Sequence, residues 1–259
     1  MFTDESGEVA DLAADGPGAD PAVRALTTRI AERLSIPLAR RDATARRGRG
    51  RIQSVPYNGA SDDIDLDRTL DALAAAPVGP ERQIVVRERI RPRRAVLLAV
   101  DVSGSMRGER ARTAAATVGA LAGELADDDL GVLAFWSDAA WLARLGAGRP
   151  ALALVDDLLR LPAKGLTNLA FPLELAAAEL ARAAAEDARL LLLSDCVHNA
   201  GPDPRGLLAG IPRLDVLVDV SGESDALLGR ELARAGRGRA YTVRDHRDVA
   251  PALIDALAP

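Results

Sequence analysis

Asp101, Ser103 and Ser105 stand on alternate positions where an apolar run breaks off, in LLAVDVSGSM at residues 97–106. A carboxylate and two hydroxyls crowded onto one short loop are hard oxygen donors, the ligand set preferred by Mg²⁺, Mn²⁺ or Ca²⁺. A zinc site would use His or Cys, and neither lies in this stretch. The segment alone leaves two readings open. Either it ligates a metal, or a serine caps the following helix while Asp101 accepts loop amides. Two distant segments bear on the choice. KGLTNLAFPLEL puts Thr167 and Asn168 just before a helix, with Pro172 in its first turn, where a missing N–H is tolerated. LLLLSDCVHN ends another apolar run in Asp195.

These oxygens can meet only on a scaffold that brings three segments to one rim. After residue 95 the sequence alternates strand-like and helix-like runs. AVLLAV (95–100) is apolar throughout, as when both faces of a parallel strand are covered. A helix is expected over 109–126, a strand over 130–136 with a hairpin partner over 139–145, and helices over 150–161 and 173–188. RLLLLS (189–194) is the next strand. PRGLLAGI with LDVLVDV, and SDALLGRELARAG with RAYTV, form two further helix–strand pairs, and DVAPALIDALA closes as a helix. The succession predicts an α/β, doubly wound, Rossmann-like sheet, mostly parallel and flanked by helices, over residues 95–259. Ligands in such sheets bind outside the carboxyl ends of the strands. Ser103 and Ser105 are expected on a tight turn that Gly104 allows.

With Asp101, Ser103 and Ser105, then Thr167 in GLTN, then Asp195 in LLLSDC, the chain resembles the von Willebrand factor type A (VWA) family over residues 95–259. That family's metal-ion-dependent adhesion site (MIDAS) is D-x-S-x-S, a later Thr and a later Asp. The resemblance implies one short antiparallel edge strand, here 138–144, and places the strands ending in Asp101 and Asp195 side by side. It also implies that Ser103, Ser105 and Thr167 contact the metal, that Asp101 and Asp195 act largely through water, and that a partner's acidic group completes the shell. Mg²⁺ is the implied ion, with Mn²⁺ or Ca²⁺ as substitutes. Many relatives carry Gly after the second aspartate, where this chain has Cys196, followed by Val197, His198 and Asn199. Cys196 reads as a small packed residue, His198 and Asn199 as loop residues shaping the rim.

Upstream, residues 1–20 read as an acidic tail without fixed structure, and 21–94 as a helical and Arg-rich extension. Val23, Leu26, Ile30 and Leu34 mark a helix over 21–38, and the basic run that follows reads as a solvated linker. DDIDLDRTLDALAAAP opens with candidate capping aspartates and sets Leu66, Leu70 and Leu73 on one helical face. RQIVVRERIRPRR reads as a strand or extended lead-in. Residues 61–106 resemble bacterial intracellular VWA proteins of the magnesium-chelatase D-subunit and CoxE-like kind, which are paired with MoxR-type or chelatase-type AAA+ ATPases. The sequence has no GxxxxGK[ST] loop, so such an ATPase would be a separate polypeptide.

Composition narrows the rest. The net charge of -5 and an aromatic content of 3% argue against nucleic acid as the partner. Cys196 is the sole cysteine, so no internal disulfide forms. The acidic N-terminus lacks a signal-peptide pattern, and no apolar run approaches the ~20 residues that span a bilayer, so a cytoplasmic location is expected. The sequence therefore points to a non-enzymatic, metal-dependent protein-interaction module serving a separate AAA+ ATPase. Two alternatives stand beside it. One is a Mg²⁺-dependent phosphohydrolase with Asp101 as nucleophile, weakened because Ser103 occupies the place of a second aspartate. The other is nucleic-acid binding through the Arg40–Arg51 run, weakened by the acidic balance.

Overall fold

The computed structural model describes residues 7–10, 25, 51–57, 59, 62–75, 83–90, 93–105, 108–125, 128–161, 165–183, 185 and 187–258. The helix expected over 21–38 lies outside these except for Ala25, and the basic run lies outside them up to residue 50. The chain forms two units, residues 41–92 and residues 1–40 together with 93–259.

In the smaller unit, β1 (Arg51–Pro56) pairs antiparallel with β2 (Val85–Ile90), and α1 (Leu66–Ala75) lies between them in sequence. Asp65 starts α1, its carboxylate accepting from the Arg68 amide at 3.2 Å and from the Ser54 hydroxyl. Buried Thr69 docks the helix: its hydroxyl donates to the Val85 carbonyl at 3.2 Å and accepts from the Val85 amide at 3.0 Å. Leu66 and Leu70, set on one helical face by their spacing, are 67% and 62% exposed. Backbone pairing to a threonine, not the leucine stripe, sets this helix's orientation. The β1 strand went unforeseen because RIQSVP follows directly on the basic run and shows no clean alternation.

The larger unit runs β3 (Arg94–Asp101), α2 (Glu109–Glu124), β4 (Asp129–Phe135), β5 (Ala139–Ala143), α3 (Ala151–Arg160), α4 (Ala170–Leu180), β6 (Asp187–Ser194), a 3₁₀ turn at Pro204–Leu207, β7 (Leu214–Asp219), α5 (Ala226–Ala235), β8 (Arg237–Val243) and α6 (His246–Ala256). The sheet order is β5-β4-β3-β6-β7-β8, parallel throughout except for the edge strand β5. Every residue of β3 is buried. Val96, Leu98 and Val100 pack on one side with Leu121 of α2, Leu154 of α3 and Leu253 of α6. Leu97 and Ala99 pack on the other with Leu173 of α4 and Leu232 of α5. Two cores on one strand explain the unbroken apolar run, since the period-two alternation finds a hydrophobic layer on either face. At roughly 2 kcal/mol for each fully buried leucine, this packing fixes where the strand ends.

Several boundaries differ from the sequence reading. Helix α4 begins at Ala170 rather than 173, because the Asn168 side chain accepts from the amides of Ala170 (3.1 Å) and Phe171 (3.2 Å). It ends at Leu180, well short of 188, leaving chain to reach β6. PRGLLAGI forms only the 3₁₀ turn, not a crossover helix. Within the expected acidic tail, Glu8–Ala10 is paired: the Ala10 amide donates to the Ala139 carbonyl (2.7 Å) and the Ala139 amide to the Glu8 carbonyl (3.0 Å). These bonds make one isolated parallel bridge, Val9 to Ala139, against the edge strand β5.

Candidate metal centre at the carboxyl rim

β3 and β6 are hydrogen-bonded neighbours, and on either side of them the sheet grows in opposite directions in sequence, toward β4 and toward β7. A crevice opens at such a reversal. Asp101 is the last residue of β3, and Asp195 directly follows β6. The Thr167 loop is tied to the second of these ends. The Thr167 amide donates to the Asn199 side chain at 2.7 Å, and the amides of Asn199 and Ala200 donate to the Thr167 carbonyl. It is tied to the β4 end as well, where the Asn168 amide donates to the Trp136 carbonyl.

The five sequence-predicted residues therefore come together. The Thr167 hydroxyl lies 2.9 Å from that of Ser103, and the Ser103 hydroxyl 3.2 Å from that of Ser105. The Ser105 hydroxyl donates to Asp195 Oδ2 at 2.7 Å. Octahedral Mg²⁺ with ligands at 2.0–2.1 Å sets adjacent oxygens about 2.9 Å apart, so these hydrogen-bonded oxygens, at 2.7–3.2 Å, lie within a few tenths of an ångström of the edges of its shell. Ca²⁺ in a seven-coordinate shell sets neighbouring oxygens about as far apart, so the spacing suits either ion. Two carboxylates and three hydroxyls thus suit a hard cation. Among the described residues no group of three or more His, Cys, Asp and Glu side chains could hold a metal.

Each aspartate is held by its own loop. Asp101 accepts from the Ser103 amide (2.9 Å) and from the Ser194 hydroxyl (2.6 Å). Burial pushes its carboxyl up to about 6, against the opposing pull of those hydrogen bonds. Asp195 accepts from the Val197 amide at 3.0 Å, and Arg110 Nη1 donates to its Oδ2 at 2.9 Å. Asp101, Ser103, Thr167 and Asp195 are buried, while Ser105 is exposed.

The local readings of the serine loop fare differently. Helix α2 starts after Gly108 with no side-chain cap, so neither serine caps it. Asp101 does accept a loop amide, which is compatible with ligation through water. Gly104 and Ser105 do lie on the expected turn; Gly104 is outside the left-handed region, and its lack of a side chain serves close approach. Its amide donates to the Gly165 carbonyl at 3.2 Å, and a Cβ there would stand 3.3 Å from that oxygen.

Cys196 is fully buried with φ of 60°, a left-handed conformation that glycine adopts freely. The glycine that the family resemblance implies here thus has a backbone reason. Burial also pushes the Cys196 thiol well above its ordinary range. His198 accepts from the Leu169 amide through Nδ1 (3.2 Å), so it supports the Thr167 loop. Sequence reasoning missed Ser194, Arg110, Asp219 and Ser221. The last two had a signal: VDVSG occurs at 100–104 and again at 218–222.

The sequence model of the von Willebrand factor type A domain matches residues 96–198. No curated protein matches the chain. Among solved structures, the conserved hypothetical protein BatB of Bacteroides thetaiotaomicron is 18% identical with a TM-score of 0.53, the match covering 62% of this chain and 96% of that one. The von Willebrand factor type A protein of Catenulispora acidiphila is 20% identical with a TM-score of 0.53, covering 66% of this chain and less than half, 43%, of that one. A D319A mutant of the PilB minor pilin of Streptococcus sanguinis is 13% identical with a TM-score of 0.53, covering 67% of this chain and 64% of that one. The larger unit has the fold of these proteins, as the doubly wound sheet with its antiparallel edge requires. No helix among the described residues is long and apolar enough to cross a membrane.

Proposed function

We propose that this chain is a non-enzymatic interaction module that captures an acidic side chain of a protein partner through a divalent cation, Mg²⁺ by preference. Ser103, Ser105 and Thr167 would hold the cation, with Asp101 and Asp195 behind them. The observation that carries the reading is the run of hydroxyls from Thr167 through Ser103 to Ser105, spaced at 2.9 and 3.2 Å. When bound, the cation supplies an electrophile for a carboxylate oxygen, and few direct anionic ligands leave it strong in that role. The chain's own residues do the rest. Asp101 fixes the serine loop through the Ser103 amide, and Ser194 fixes Asp101. Thr167, locked by Asn199, closes the inner side, while exposed Ser105 marks the side open to a partner.

The finer proposal is that the chain serves a separate MoxR-type or chelatase-type AAA+ ATPase in the cytoplasm. It rests on the resemblance of residues 61–106 to proteins paired with such machines. The phosphohydrolase alternative has less support. A nucleophilic carboxylate needs an oxygen facing its substrate, whereas Asp101 is fully buried with both oxygens accepting hydrogen bonds. The Arg40–Arg51 run lies outside the described residues up to position 50 and lends nucleic-acid binding nothing further.

The test is calorimetric titration with Mg²⁺, then recovery of partners with and without chelator, identified by mass spectrometry. Wild type is expected to bind the ion, and Asp101→Ala to lose both ion and partner while keeping its circular dichroism. Partner capture unchanged in excess EDTA would refute the reading.

A further inference from the structure

Arg110, in the first turn of α2, is fully engaged at the rim. Its side chain is only 10% exposed, and its three guanidinium nitrogens all have partners. Nη1 donates to Asp195 Oδ2 at 2.9 Å, Nε to the Ser221 hydroxyl at 3.0 Å, and Nη2 to the Glu223 carbonyl at 3.1 Å. Nε also lies 3.4 Å from Asp219 Oδ1. The group therefore bridges the ends of β6 and β7.

The β7 end repeats the β3 end in sequence and geometry. VDVSG at 218–222 copies VDVSG at 100–104. Asp219, like Asp101, ends its strand and accepts from the amide of the serine two residues on, at 2.8 Å against 2.9 Å. At β3 the Asp-x-Ser turn faces two further hydroxyls. At β7 the same turn faces a fixed guanidinium. The rim thus holds two acidic notches built on one pattern, with a protein cation seated in the second, and Asp195 stands between them.

Resting on the metal reading above, we propose that Arg110 sets the charge of the rim, weakening cation binding in the first notch and strengthening capture of the partner's carboxylate. The charges give the direction. Asp101, Asp195 and Asp219 sum to -3, Arg110 brings this to -2, and a divalent ion brings it to zero. Without Arg110 the loaded rim would carry -1 and repel an incoming carboxylate. The same missing charge would leave Asp195 buried without its ion pair, and so favour the metal. Arg110 is a positioning residue. It touches Asp195 and not the ion's hydroxyl ligands, and its guanidinium occupies the Asp195 oxygen that also accepts from Ser105.

The experiment uses the full chain as wild type, Arg110→Gln, Arg110→Lys and Asp101→Ala. Free Mn²⁺ is followed by electron paramagnetic resonance, and acetate is then titrated at saturating Mn²⁺ while water-proton relaxation reports displacement of bound water. Wild type binds Mn²⁺ and Asp101→Ala does not; failure of that comparison overturns the metal reading itself. Given that comparison, Arg110→Gln is expected to bind Mn²⁺ at least about ten-fold tighter, since a unit charge acting on a divalent ion across several ångströms is worth that much even at the dielectric of water, and to bind acetate more weakly. Arg110→Lys restores both toward wild type. A purely structural role would lower both affinities together. That outcome, or Mn²⁺ affinity unchanged in Arg110→Gln, overturns the proposal while leaving the metal reading in place.

Discussion

Substituting Cys196 by alanine and by glycine should abolish the usual order of the two residues. In ordinary backbone, glycine is less stable than alanine by roughly 0.5–1 kcal/mol, because the unfolded chain gains freedom. Losing a buried methyl adds about 0.8 kcal/mol. Position 196 would therefore be expected to favour alanine by roughly 1.5 kcal/mol. Its φ of 60° changes the sum. A left-handed conformation costs an L-residue about 1–2 kcal/mol, which alanine keeps and glycine releases. The two variants should then fall within about 0.5 kcal/mol of each other. Both lose the buried sulfur, which stands 3.2 Å from where a Cβ on Gly229 of α5 would lie. Cys196→Ala should therefore be about 1 kcal/mol less stable than wild type. Urea unfolding followed by far-ultraviolet circular dichroism, in EDTA so that metal linkage does not enter, measures all three. If glycine proves less stable than alanine by 1.5 kcal/mol or more, the strain argument fails.

Other consequences can be measured alongside. Because burial holds the Cys196 thiol well above its ordinary range, the folded protein should not react with a disulfide reagent at pH 8, whereas the urea-unfolded chain should react completely. Gly201 has φ of 76°, and a Cβ there would stand 2.4 Å from Asn168 Oδ1, the acceptor that starts α4. Gly201→Ala should cost roughly 2–3 kcal/mol from strain and a lost cap, and should weaken Mg²⁺ binding by loosening the adjacent Thr167. At the other end of β3, Arg94 Nη2 meets Asp128 Oδ2 at 2.7 Å with both side chains buried. Asp128→Ala should cost about 3 kcal/mol yet leave the metal-induced rise in melting temperature unchanged; a lost rise would mean the rim depends on the whole sheet.

How much of this was legible beforehand follows from the range of the forces involved. The strands β3 and β6 could be read from composition, since a strand covered on both faces needs an unbroken apolar run. Their ends could be read for the same reason: Asp101 and Asp195 stop the run. Thr167 could be picked out as an oxygen just before a helix and matched to the family motif, but its position is set by loop contacts, its own to Asn199 and that of Asn168 to Trp136, which leave no periodic trace. What was missed has the same cause. Leu66 and Leu70 share a helical face that stays exposed, and Thr69 docks that helix by two hydrogen bonds to Val85. Arg110 looked like one arginine among many on an Ala-rich helix.

What marks Arg110 is the second VDVSG, which has meaning only once β7 is known to lie beside β6. Adjacency turns the repeat into two matching notches, and their charges then call for two cations. The chain supplies one of these itself and leaves the other notch with oxygens set at cation spacing. On this reading the rim's specificity is a matter of division. A fixed charge restrains the metal's affinity, and the restraint is what leaves the bound ion able to attract a partner's carboxylate.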